Sequence, residues 1–580
     1  MTTFWLVMLL ALALGWPLGH YMARVMRGER APLDAVFLPV ERGLYKLIGP
    51  SAHGGMNWRG FVMAFLFANA VLFALVWILF MVQGALPLNP DAAPGMKWDL
   101  ALHTMVSFLT NTNQQHYSGQ AQLSYLSQMV GIVGLQMITP MFGLAMLAAT
   151  LRGLFGGREA IESTSSSGTQ VAGIEGTERD VGNFWRDVIR GGLRILLPLC
   201  LLWSTLLAWQ GVPSTLQRGA DIVPIDATAG IATQHIPVGP VSAMVAVKQL
   251  GTNGGGWYGP NGTVALENPT PFSNLLETLA LILIPVGCAF MVGPFTRRRK
   301  LTTLVLGTML GLSLLSSLGA IWLESHAPGN VSALMEGKEV RFGADASAAY
   351  AALTSQTSNG SVIAMHDSLA PLAGGIAITN MLVNAIWGGI GCGVLGLLVY
   401  MLLALFLAGL MTGRTPELFG RKIEVHEVRW LALLILVQPL AILGFTAITL
   451  AVPSLAGVSN PGAHGVSQVL YEYTSAFANN GSGFEGLGDN TVWWNVTCAI
   501  VLLLGRIPVL VVPLMIAGSM ARKRVAPEGP GTLQIESPTF ALTLAAVIGI
   551  LTVLQFMPAL VLGPIADHLQ LAAQSAASGG

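Results

Sequence analysis

The chain has 580 residues, 53% of them hydrophobic and only 10% charged. A soluble protein carries roughly a quarter charged residues, so this composition excludes a water-soluble globular enzyme and points to a polytopic membrane protein. Formal net charge is zero, which removes a basic nucleic-acid-binding domain.

Ten apolar runs are long enough to cross a bilayer, near 4–23, 60–82, 126–150, 192–209, 275–294, 301–323, 376–410, 430–450, 493–518 and 539–562. The first lacks the positive leading region of a signal peptide. Its cations Arg24, Arg27 and Arg30 follow the run instead, so it reads as a retained anchor. Basic residues then recur in alternate connections: Arg24 to Arg59, Arg152 to Arg190, Arg297-Arg298-Arg299-Lys300, Arg414 to Arg429, and Arg522-Lys523-Arg524. The other connections hold few cations: Lys97, Arg218, Lys248, Lys338 and Arg341. This asymmetry predicts the basic connections inside and both termini outside. Cys200, Cys288, Cys392 and Cys498 all lie in apolar runs without CxxC spacing. Their pattern therefore supports neither a disulfide framework nor a metal site.

Four amphipathic runs are too short to span, at 98–109, 241–250, 344–354 and 466–477. Each ends in a polar loop: Thr110-Asn111-Thr112-Asn113-Gln114-Gln115, Gly251-Thr252-Asn253-Gly254-Gly255-Gly256, Thr357-Ser358-Asn359-Gly360-Ser361 and Ala478-Asn479-Asn480-Gly481-Ser482-Gly483. The chain holds 68 glycines, so one such loop alone is an ordinary turn. All four fall on the outer side, each between a short run and a span. Irregular backbone at membrane depth must line water or ligand. The expected fold is therefore an all-α polytopic membrane protein with ten transmembrane helices and a central pore. Four pseudo-repeats of helix, re-entrant pore helix, filter loop and helix surround that pore, with one extra helix at each end. The expected units are an N-terminal anchor and cytosolic loop (1–59), repeats at 60–152, 190–296, 301–412 and 428–522, and a C-terminal helix and tail (537–580).

A re-entrant helix directs the partial negative charge of its C-terminus toward the pore centre, which favours a cation. The loops bring no carboxylate ring, which argues against calcium and favours a monovalent, weakly hydrated ion, potassium before sodium. Asp367, after the third loop, reads equally as a helix N-cap or a vestibule residue. His116 reads as a hydrogen-bonded vestibule residue rather than a pH sensor. Arg506 stands inside the ninth apolar run; such a group is expected to face a cavity, where it would act as an electrostatic barrier below the loops. Gly388, Gly389, Gly391 and Gly393 crowd the long seventh run, and either permit close helix packing or mark a break that gates the pathway.

Read together, the four loops, Glu267-Asn268-Pro269-Thr270, Ala364-Met365-His366-Asp367-Ser368 and Gly413-Arg414-Thr415-Pro416-Glu417 through Gly420-Arg421-Lys422-Ile423-Glu424 resemble the potassium-binding A subunit family of the Kdp-type potassium-transporting ATPases. The resemblance covers nearly the whole chain and implies the fold of the superfamily of potassium transporters. It places the filter at Thr112, Asn113, Thr252, Asn253, Gly254, Ser358, Asn359, Gly360, Asn479, Asn480 and Gly481. Its implied partners are a P-type ATPase catalytic subunit, a small single-span subunit and a further accessory subunit in a bacterial cell membrane. Potassium is then the substrate, with no organic cofactor, and ions leave sideways toward the ATPase subunit. The sequence departs from the family at Gln114, where an aromatic residue is common, and at His116.

The chain contains no GxxxxGK[ST] loop and no Asp followed by Lys-Thr-Gly. Its longest cytosolic segment, near 151–189, is Ser/Gly-rich, too short for a nucleotide domain and expected to be mobile. Energy is therefore expected from a partner. The same fold would also serve a stand-alone ion-gradient-driven potassium transporter. A lipid-directed membrane enzyme would need clustered catalytic groups that the sequence does not offer. Four same-side loops also weigh against a transporter built from two inverted repeats.

Overall fold

Inner and outer helices alternate along the chain. The computed structural model describes residues 1–155, 180–225, 230, 232–328, 333–525, 527 and 533–577. The expected mobile linker falls largely on 156–179, outside the described residues. Among the described residues, ten helices are long and apolar enough to cross a membrane: Thr2–Arg27, Trp58–Ala85, Ser127–Phe155, Phe184–Trp209, Pro271–Thr296, Arg299–Ser325, Cys392–Thr412, Val425–Ala451, Val492–Ala521 and Pro538–Ala577. In the third, fifth, seventh and ninth of these, between 56% and 89% of the most apolar window is buried. In the second, fourth, sixth and eighth the share is only 22% to 44%. Each quarter therefore runs from an outer span through a pore helix to an inner span.

Local signals set the ends of the spans. The fifth opens with Pro271 at its first position and a reciprocal cap between Thr270 and Ser273, and stops at Arg297 in the left-handed conformation. The eighth opens with a similar exchange between Glu424 and Glu427. The first span lies along the fifth because small residues let the backbones meet: a Cβ on Gly19 would come within 2.6 Å of the Gly287 carbonyl oxygen.

The long seventh run expected at 376–410 is not one crossing. It divides into Pro371–Val383 and Cys392–Thr412. Between them Asn384, Gly388, Gly389 and Gly391 all take positive φ, from 45° to 79°, a conformation that no helix sustains. Both readings of these glycines hold: the helix breaks here, and a Cβ on Gly391 would lie 2.3 Å from the Gly143 carbonyl oxygen of the third span.

The pore helices are Trp98–Leu109, Val241–Leu250, Ala344–Gln356 and Ala463–Ala478. Two two-stranded antiparallel hairpins are the sheet structure among the described residues. The amino group of Met1 lies 3.8 Å from Asp345 at the start of the third pore helix. Asp567, near the other terminus, accepts from His464 at the start of the fourth, at 2.8 Å. Both terminal regions therefore sit on the face from which the pore helices enter. The basic connections gather at the opposite end, where Arg27 donates to Pro294 O at 2.9 Å and Arg152 to Met26 O at 2.6 Å.

Candidate functional site

Three of the four loops share an Asn-Gly pair (Asn253-Gly254, Asn359-Gly360 and Asn480-Gly481) and the first has Thr112-Asn113 there, yet all four leave their helices in the same way. The amides of Thr112, Asn253, Asn359 and Asn480 donate to the carbonyls of Ser107, Lys248, Thr354 and Ser475, each five residues earlier, at 2.9, 3.0, 3.2 and 2.9 Å. The residue just before each, Asn111, Thr252, Ser358 or Asn479, is left-handed, with φ between 49° and 63°. A non-glycine residue held there costs about 1–2 kcal/mol. Four such positions in register mark backbone strain maintained at a site.

The residue just after also has positive φ: 59° at Asn113, 63° at Gly254, 83° at Gly360 and 103° at Gly481. Three of these positions are glycine because the next loop arrives against them. A Cβ on Gly254 would lie 2.0 Å from the Asn359 carbonyl oxygen, one on Gly360 2.0 Å from that of Asn480, and one on Gly481 2.0 Å from that of Thr112. At the remaining seam the glycine is on the other side. Asn113 keeps its side chain and donates to Gly254 O at 2.8 Å, while a Cβ on Gly255 would fall 2.7 Å from the Asn113 Cβ. The second loop thus meets the third, the third the fourth, the fourth the first, and the first the second. The ring is closed.

Asparagine amides lock neighbouring quarters together. Asn253 donates to Asn111 Oδ1 at 2.5 Å, and Asn111 to Thr252 O at 3.0 Å. Asn359 donates to Lys248 O at 3.2 Å, Asn480 to Thr354 O at 2.9 Å, and Asn479 to Thr112 Oγ1 at 3.0 Å. The side chains are consumed in the wall, and the backbone is what remains. Thr112, Asn253, Asn359 and Asn480 are all fully buried. Among the described residues, none of their four carbonyl oxygens accepts a hydrogen bond from the protein. A buried polar group left unpartnered costs about 1–3 kcal/mol. Four of them at equivalent ring positions, beside four helix C-termini, give the ring the chemistry that suits a cation stripped of water.

All eleven loop residues expected from the sequence belong to this ring. Asn111 was missed, although it is the register equivalent of Thr252, Ser358 and Asn479. Its signal was the shared five-residue return to the pore helix, which has no counterpart in residue type. His116 is not in the vestibule: its side chain is completely buried behind the first loop. Asp367 does not cap the following helix, whose N-cap is Ala370; its carboxylate accepts from His464 and Gln468, each at 3.0 Å.

The broken segment 384–391 closes the ring from beneath. The amides of Trp387 and Gly388 donate to Gln356 O at 3.1 and 2.7 Å, that of Ile390 to Thr252 Oγ1 at 3.3 Å, and Ser358 Oγ to Asn384 Oδ1 at 2.8 Å. A cavity of about 20 Å³, roughly one water, lies there between Asn111, Asn479, Gly388, Gly389 and Arg506. Arg506 donates to Thr139 O at 3.1 Å and to Cys392 Sγ at 3.0 Å. The sequence placed it in a cavity, and it lines one.

Residues 5–569 match the family described as Potassium-transporting ATPase A subunit. The chain belongs to that family. It is 44% identical over 564 residues to the potassium-transporting ATPase potassium-binding subunit of Pseudomonas putida, covering 96% of each chain. It is 42% identical over 575 residues to the protein of the same name in Alicyclobacillus acidocaldarius, covering 98% of each. Among solved structures, the potassium transporter TrkH from Vibrio parahaemolyticus shares the fold, with a TM-score of 0.50 over 89% of this chain and 98% of that one, at 14% identity.

Proposed function

We propose that this chain binds potassium at the four-loop ring and translocates it as the channel-like subunit of an ATP-driven, high-affinity uptake pump. The observation that carries the reading is the set of four buried, unpartnered carbonyls at Thr112, Asn253, Asn359 and Asn480. Neutral carbonyls compensate a weakly hydrated monovalent ion better than a strongly hydrated divalent one. The names of the curated relatives support the same ion.

In this reading both termini and the pore-helix face are outside a bacterial cell membrane, and potassium enters there. The chain itself is non-catalytic; ATP is hydrolysed by a P-type partner, with a small single-span subunit and a further accessory subunit completing the complex. Below the ring, the segment containing Gly388, Gly389 and Gly391 gates the path. Arg506 supplies a positive charge that discourages a second ion from resting there.

The test is Gly254→Asp in the co-purified complex. The substitution puts a carboxylate and a Cβ where the Asn359 carbonyl now lies. Potassium-stimulated ATP hydrolysis is expected to lose potassium affinity or selectivity while the partner still binds nucleotide. Unchanged potassium dependence would remove the ring from the transport pathway.

A further inference from the structure

Behind the first and fourth loops, groups distant in sequence converge in a way that no spacing rule signals. His116, Glu472 and Cys498 are each at most 3% exposed. A His116 ring nitrogen, a Glu472 carboxylate oxygen and the Cys498 sulfur all lie within 4.8 Å of one another. Nε2 is 3.1 Å from Glu472 Oε1 and 4.0 Å from Asp489 Oδ2. Four ligands around zinc stand about 3.3–3.8 Å apart, given bonds of 2.0–2.3 Å, so the three buried groups would draw together on taking up the metal. Asp489, 29% exposed at its side chain, would be the fourth ligand and the entrance from the outer face.

The surroundings fix which nitrogen is available. Asn495 Nδ2 donates to Asp99 Oδ2 at 2.9 Å, which turns Asn495 Oδ1 toward His116 Nδ1, 2.8 Å away. An oxygen there can only accept, so Nδ1 carries the hydrogen and donates. Nε2 then faces the Glu472 carboxylate, and either holds a second proton or presents its lone pair. A ligating imidazole that donates its other N–H to a fixed acceptor is the arrangement metal sites use to orient their histidines. The His116 ring is also stacked on His103, with centroids 3.6 Å apart, which leaves it little freedom to turn away.

We infer that His116, Glu472, Cys498 and Asp489 form a binding site for a borderline-soft divalent cation of the zinc type. Mixed nitrogen, sulfur and oxygen donors suit such an ion rather than potassium, magnesium or calcium. The site stands apart from the carbonyl ring but touches its wall. Gln114 donates to Glu472 Oε1, and its own carbonyl accepts from Ser107 at 2.9 Å. A metal that takes up the Glu472 oxygen therefore releases the side chain that braces the first loop.

The experiment uses the full-length chain purified in detergent with chelator and then titrated with zinc or cobalt(II). One zinc per chain is expected by atomic emission. Cobalt should give the intense visible bands of four-coordinate geometry and an ultraviolet thiolate charge-transfer band. His116→Gln and Cys498→Ser should each lower zinc affinity on the order of tenfold or more, while Cys200→Ser, at a buried thiol elsewhere, leaves it unchanged. The cobalt spectrum of the unmutated protein decides the matter even if a variant fails to fold. Absence of metal uptake, uptake without a thiolate band, or uptake indifferent to both substitutions overturns the site. A histidine signal that titrates with pH while no metal binds means that Nε2 holds a proton, and overturns it as well.

Discussion

The third and fourth loops are close copies in their support, whereas the first solves the same geometry with other groups. In the third, Tyr350 meets Ser361 at 2.6 Å; in the fourth, Tyr471 meets Ser482 at 2.8 Å; each pair is eleven residues apart. In the first quarter the corresponding pair is His103 and Gln114, also eleven residues apart, at 3.3 Å. Asn113 likewise stands where the third and fourth loops have Gly360 and Gly481. What all four share is the backbone path and its five-residue return; the Asn-Gly pair of the other three loops is Thr112-Asn113 in the first. A ring of carbonyls constrains chain direction and spacing, and residue types are free to vary wherever a neighbour yields the space.

Substituting glycine where the neighbour does not yield should have the largest effect. Gly360→Ala sets a Cβ 2.0 Å from the Asn480 carbonyl oxygen at φ 83°. Strain on the order of 1–3 kcal/mol should weaken potassium affinity about tenfold or more, read from the potassium dependence of ATP hydrolysis by the complex. An unaffected variant would show that the third seam has the slack of the first. Arg506→Ala removes the charge beneath the ring. Apparent potassium affinity should rise several-fold and turnover should fall, measured by flux into vesicles; no change in either sinks the barrier role.

Asn113→Gly makes the first loop resemble the others and deletes one hydrogen bond to Gly254. The expected loss is about 1 kcal/mol, roughly fivefold in affinity. If affinity instead improves, the side chain at this seam is a compromise rather than a lock. The smallest effect on the ring should come from the outer latch. Asp367 and Asp567 each hydrogen-bond His464 and raise its pKa to about 9. A raised histidine pKa gives stability that is complete below its ordinary value near 6.5 and lost as pH climbs through about 9. Hydrogen exchange in 566–577 should accelerate above that pH while potassium affinity shifts less than twofold. A large affinity change would mean that the latch and the ring are coupled.

The spans, the short helices and the polar loops were legible because hydropathy and length are properties of single segments. Inner and outer spans were not distinguishable, since both are apolar and only packing sorts them. The seventh run illustrates the limit: Gly388, Gly389 and Gly391 suit a break and close packing equally. Both are present, and what holds the break are Gln356 and Thr252, whose acceptors receive the freed amides of Trp387, Gly388 and Ile390. Asn111 escaped notice for a similar reason. The five-residue return that makes it equivalent to Thr252, Ser358 and Asn479 is a hydrogen bond, not a residue type. His116 was legible as unusual, but its partners Glu472 and Asn495 lie more than 350 residues downstream.

The closure of the ring also sets the timing of its assembly. Asn479 bonds Thr112 across 367 residues, so the first loop emerges long before its last neighbour exists. At about 5–20 residues per second, that wait is roughly 20–70 s. Throughout it nothing holds the first loop in its left-handed turns or closes the ring around its carbonyls. Nascent chains stopped before the fourth pore helix should therefore hold an open, protease-sensitive first loop, and biogenesis of this subunit becomes safe only near its end.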